Sequence, residues 1–136
     1  MPKSLTTAND TLDAFLRAVD PSWRAGATRY IALHTADPAN AGTQTTSEAT
    51  YTGYARVAVT AATGFSAASA GASQNTGLIQ FPQCTGGTNV ITHVSIGTAA
   101  SGAGQIIYRG ALNASLSVAN LIQPQFSIGS LTASEQ

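Results

Sequence analysis

The chain has 136 residues, 43% of them hydrophobic and only 9% charged, and its six Lys+Arg balance six Asp+Glu for a formal net charge of zero. That length fits one domain with a real core. The composition excludes a highly charged disordered chain and a clustered basic surface for nucleic acid, and a lone cysteine, Cys84, excludes an intrachain disulfide scaffold.

The opening MPKSLTTAND lacks the apolar centre of a secretory signal. No apolar run reaches membrane-spanning length. The expected setting is the cytoplasm where the chain is made, unless it leaves inside a larger particle, with no membrane and no direct nucleic-acid partner. A net charge of zero also gives little colloidal protection, which suits a protein held in an assembly.

The first predicted element is a helix. Leu12, Phe15, Leu16 and Val19 fall at i, i+3, i+4 and i+7 and line one face. Thr6, Thr7 or Asn9 could cap its start, and Asp20-Pro21 should stop it. So short a stripe must dock on something to be stable. Two destinations stay open: with Trp23 it covers one open end of the domain, or the arm docks on a partner subunit. Residues 1–26 are assigned to this helix and docking arm, and 27–136 to a β-sandwich, the two forming a single domain.

From residue 27 the pattern is that of strands. Tyr30, Ala32 and His34 alternate with Ile31, Leu33 and Thr35. A polar connection of eighteen residues follows, ADPANAGTQTTSEATYTG. Loops of this length are uncommon inside compact domains and are often functional. YARVAVTA, TGFSAAS, GLIQFP, NVITHVSIGTA, GQIIYRGALN and LIQPQFSIGSL complete the strand candidates. Pro124 places the last of them at a sheet edge or splits it in two. Short strands with frequent turn signals and no intervening helix predict an all-β, antiparallel sandwich with one short N-terminal helix.

The stretch YIALHTADP sets His34 three residues before Asp37. A catalytic reading needs a nucleophile and partners in mutual reach, and no hydrolase signature accompanies it. Asp37-Pro38 is also a turn-initiating pair whose carboxylate can bond its own backbone. His93 is the other histidine, and no metal-ligand spacing such as Cys-x-x-Cys or His-x-x-x-His occurs. Gly-x-Gly at 102–104 lies between strands and not before a helix, so it reads as a hairpin loop. Cys84 has no neighbouring base or positive charge to activate it. The expectation is a structural or interaction protein, not an enzyme, with no cofactor and no metal.

The segments RYIALHTADP, YTGYARVAV, FSAAS, IQFP and ITHVSIGTAASGAGQIIYRGAL, in that order, resemble a group of small virion proteins of tailed bacteriophages. Members of that group are often labelled tail-fibre proteins. In size and segment order the chain also resembles a cement protein that decorates the outside of a podovirus-type head. That resemblance implies a jelly-roll sandwich, homodimers, a virion location on the capsid exterior, and contacts with the major capsid protein that stabilise its capsomers. The alternative is a tail-fibre or receptor-binding β module. Residues expected at partner contacts are Leu12, Phe15, Leu16 and Trp23, and the loop from Asp37 to Tyr51, including Glu48. Arg56 and Arg109 are either interface arginines, or lie on a solvated strand face or pair with a carboxylate such as Asp37 or Glu48.

Overall fold

Ser4 opens the first element of the computed structural model, which describes residues 1–135. Its hydroxyl accepts the Thr7 N–H at 3.3 Å and caps helix α1, Leu5–Arg17. The cap is therefore earlier than Thr6, Thr7 or Asn9. The helix also stops before Asp20-Pro21. Ala18 turns left-handed at φ 54°, and the N–H groups of Ala18 and Val19 both donate back to the Asp13 carbonyl, that of Val19 at 3.2 Å, which closes the last turn. A single 3-10 turn, Ser22–Ala25, leads on to the strands.

The main sheet contains β1 (Thr28–His34), β2 (Val57–Thr60), β5 (Asn89–Gly97) and β6 (Ile106–Val118), in the order β2-β1-β5-β6 with every pairing antiparallel. Opposite stand two short ribbons. β3 (Ala72–Gln74) pairs with β8 (Thr132–Ser134), and β4 (Ile79–Gln80) pairs with β7 (Gln125–Phe126). The chain is thus all-β and antiparallel with one N-terminal helix. What faces the main sheet is a pair of two-stranded ribbons, which does not by itself show the jelly-roll detail.

The core lies between these layers. Ile31, Leu33, Ile91, Val94 and Ile96 come from the sheet, with Ile79, Phe81 and Leu131 from the ribbons and their flanks. Phe81 is fully buried, stacked on Tyr54 and edge-on to Phe126, both with ring centroids 6.3 Å away. Truncating such a ring to alanine typically costs about 3–5 kcal/mol.

Three local departures have physical causes. β5 does not keep strict alternation, because its register against β6 shifts between Ile91 and His93. The shift lets Ile91 turn in beside Val94 and Ile96 while Val90 stays 52% exposed. TGFSAAS forms no strand: Phe65 and Ser69 make lone bridges, to Asn75 and Ala72, and the strand comes later as β3. Pro124 does not split the last segment: it stands just ahead of the two-residue β7, and β8 begins past the segment, at Thr132, after the turn at Gly129 (φ 77°).

Candidate assembly surface

Helix α1 is fastened to the sheet by its polar side. The Ser4 and Thr7 hydroxyls both donate to the Ile106 carbonyl on β6 at 2.7 Å. Gln105 Nε2 donates to Thr7 Oγ1 at 2.8 Å and to Asp10 Oδ2 at 2.9 Å. Trp23 Nε1 donates to the same Asp10 oxygen at 2.9 Å, so Trp23 ties the arm down through its indole N–H. The Leu5 N–H reaches the Asn40 carbonyl in the long loop at 2.7 Å.

The apolar stripe consequently faces water. Leu12 is 57% exposed, Phe15 81% and Leu16 79%, and Leu5 and Val19 extend the patch. Of the two destinations read from the sequence, the covered domain end is excluded. Of the helix residues, only Thr7 is buried. Leu5 belongs to the patch, and its sequence signal is its spacing of seven residues before Leu12.

The long loop is not a free polar arm. Gln44 in its middle is fully buried. Its Nε2 donates to the Tyr30 carbonyl at 3.1 Å, and its Oε1 accepts the Ala99 N–H at 3.0 Å. Glu48 takes both arms of Arg56, Nε at 2.7 Å and Nη2 at 2.8 Å. Arg56 also donates to the Ala99 and Gly102 carbonyls, at 2.9 and 2.7 Å. Tyr51 sits in the core, and its hydroxyl donates to the Pro82 carbonyl at 2.9 Å; burial pushes its pKa up to about 12. Arg109, on β6, pairs with Asp37 and donates to Asn40 Oδ1 at 2.6 Å. The carboxylate-pairing alternative is thus the one found for both arginines.

His34 and Asp37 do not meet as a pair. The Asp37 carboxylate accepts the Ala39 N–H at 3.0 Å, an Asx turn. That bond, with Arg109 beside it, holds its pKa below the usual carboxylate value. His34 ends β1 fully buried. Its Nδ1 lies 2.8 Å from the Thr46 carbonyl and so carries the proton, which leaves Nε2 to accept from the Ser95 hydroxyl at 2.7 Å. Ser95 is likewise fully buried. Desolvation lowers the His34 pKa, so the ring is neutral at pH 7. His93 faces His34 across the β1–β5 pairing and bonds Thr92 Oγ1 at 2.8 Å. Cys84 is buried, its thiol directed at the Gly86 carbonyl.

Among the described residues, each charged side chain already has a partner within the chain. The ion pairs are Lys3–Glu135, Arg17–Asp13, Arg24–Asp20, Arg56–Glu48 and Arg109–Asp37. Arg29 donates to the Gly26 carbonyl, and Asp10 accepts from Trp23 and Gln105. No group of three or more His, Cys, Asp or Glu that could hold a metal ion occurs among the described residues. No helix is long and apolar enough to cross a membrane. What the surface offers a partner is therefore apolar contact, at the clustered side chains of α1 and at Leu78, Val90, Leu121, Ile122 and Ile128 elsewhere, and backbone hydrogen bonding at the sheet edges.

One such edge is β6. Its first half is covered, since the Arg109 N–H donates to the Pro2 carbonyl at 2.9 Å. From Ala111 to Ser117 its outer side bonds no other segment among the described residues, and this stretch carries no charged residue.

A family model described as "Podophage GP4 fiber I protein gp80" matches residues 2–134, almost the whole chain. No curated protein matches it. The chain belongs to this podophage fibre family and is a structural protein of a phage virion.

Proposed function

We propose that this member of the family is a non-enzymatic building subunit of a fibre on the podophage particle, assembled there through subunit contacts at the outward apolar face of α1. The family description speaks of a fibre and not of the head. It therefore favours the tail-fibre reading over the capsid cement role, and contacts with the major capsid protein belong to the less favoured reading.

The observation that carries the proposal is the inverted setting of α1, with hydroxyls and an amide gripping the sheet and Leu12, Phe15 and Leu16 facing out. Apolar patches of this size on small soluble proteins mark interaction sites. Binding only in the assembled particle stabilises both chain and particle by mass action. The burial of His34 and Ser95, and the engagement of Asp37 by Ala39 and Arg109, support a holding role over turnover of a substrate.

Immunogold electron microscopy of intact virions with an antibody to this chain tests the reading. Label along the fibres is expected. Label spread over the head shell would overturn it in favour of cement.

A further inference from the structure

We propose that the apolar face of α1 is covered by the same face of a second copy of this chain, so that the building unit is a helix-paired homodimer. The proposal deepens the structural-subunit reading by naming the partner, and it stands on the spacing, charge and area of the patch.

The spacing is that of a helix-to-helix seam. Leu5 and Leu12 are seven residues apart, and so are Ala8 and Phe15, each three positions after the first set. Apolar residues repeating every 3.5 positions are what two packed helices present to each other. Leu16 widens the seam on one side, and Val19, just past the helix end, lengthens the patch.

The flanks admit a like copy. Asn9, Thr11 and Leu16 border the seam within the helix, and none carries a charge. Asp10 is turned inward to Trp23 and Gln105, and Asp13 is paired with Arg17. Two identical faces therefore meet without opposed like charges, and an isologous contact is the commonest closed assembly. The helix is already fixed on its own domain by Ser4, Thr7 and Asp10. Little ordering remains to oppose association.

The area is also adequate. Side chains of these sizes, 47–81% exposed, offer together on the order of 600 Å² of apolar surface, the upper end for a free monomer. Two such faces bury roughly 1,200 Å², within the range of specific interfaces.

Leu12 lies midway between Leu5 and Val19, so it comes near its own copy whether the helices run parallel or antiparallel. That gives the test. Sedimentation velocity on the purified chain should show a concentration-dependent dimer. Leu12→Glu and Phe15→Glu lie on exposed positions and should leave the far-UV circular-dichroism spectrum of the folded chain unchanged while weakening dimerisation about 30-fold or more. Leu12→Cys should oxidise to a covalent dimer while the wild-type chain, whose Cys84 is buried, does not. A wild-type chain that stays monomeric at every concentration overturns the proposal. So does a dimer indifferent to both Glu variants, or one abolished instead by Ala111→Pro at the open β6 edge. None of these results bears on where virions carry immunogold label, so the two readings fail separately.

Discussion

Thr7 and Leu16 stand nine positions apart on α1, half a turn round the helix, and they have opposite environments. Thr7 is 1% exposed and donates to the Ile106 carbonyl, while Leu16 is 79% exposed. The helix is held by hydroxyls and shows leucine to water. Replacing the two anchors, Ser4→Ala with Thr7→Val, should loosen α1 by about 1–2 kcal/mol. Hydrogen exchange should speed up for α1 amides and stay unchanged in β1 and β5. Equal protection of α1 in the variant would contradict the anchoring.

Gln44 fits its site only because two glycines leave room. A Cβ on Gly97 would lie 2.1 Å from Gln44 Cδ, and one on Gly104 would lie 2.1 Å from its Oε1. Gly97→Ala should therefore displace a fully hydrogen-bonded buried amide. The expected loss is about 2–4 kcal/mol in urea unfolding. Gly102→Ala meets nothing within 4 Å and tests backbone strain alone at φ +76°. Its cost should be smaller, about 1–2 kcal/mol.

Arg56 is 2% exposed at its side chain and Glu48 16%. Removing one member leaves the other charge buried without its partner. Arg56→Met and Glu48→Gln should each cost about 3–5 kcal/mol. The double variant should cost clearly less than the sum of the two. Additive losses in a double-mutant cycle would show that the pair is not coupled.

His34 gives the stability curve its mildly acidic limb. Burial lowers its pKa below the usual 6.5, opposed in part by the Thr46 carbonyl and Glu48. The unfolded chain therefore takes up a proton, below about pH 6.5, that the folded chain refuses. The contribution is complete above that pH and declines as pH falls, by at most about 1.4 kcal/mol per unit, until the folded pKa is reached. His34→Gln, with an amide to serve Thr46 and Ser95, should flatten urea-unfolding stability between pH 7 and 5. An unchanged slope in the variant would assign the limb to other groups. Asp37, also lowered, acts in a separate window, below its usual value near 3.8.

The sequence makes the helix stripe, the strands, the Asp37 turn and the candidate partners of both arginines legible, because each rests on local spacing or charge scarcity. It does not say which way the stripe faces. Periodicity defines a face, and the direction is set by polar residues with no motif: Ser4 and Thr7, whose hydroxyls donate to a carbonyl about a hundred residues away, and Gln105, which donates to Thr7 and Asp10. The packing of the long polar loop is hidden for the same reason. Gln44 carries no charge to pair, and its seat depends on two glycines distant in sequence. The register shift in β5 hid Ile91 from a strict two-residue alternation.

The most direct measurement is incorporation into particles. Phage lacking this chain should be assembled with either the wild-type protein or the Leu12→Glu, Phe15→Glu double variant, purified, and the chain quantified per virion by mass spectrometry. The outward face of α1 as the assembly surface predicts wild-type copies retained and the folded double variant absent. Equal copy numbers of both in the purified virions would contradict it.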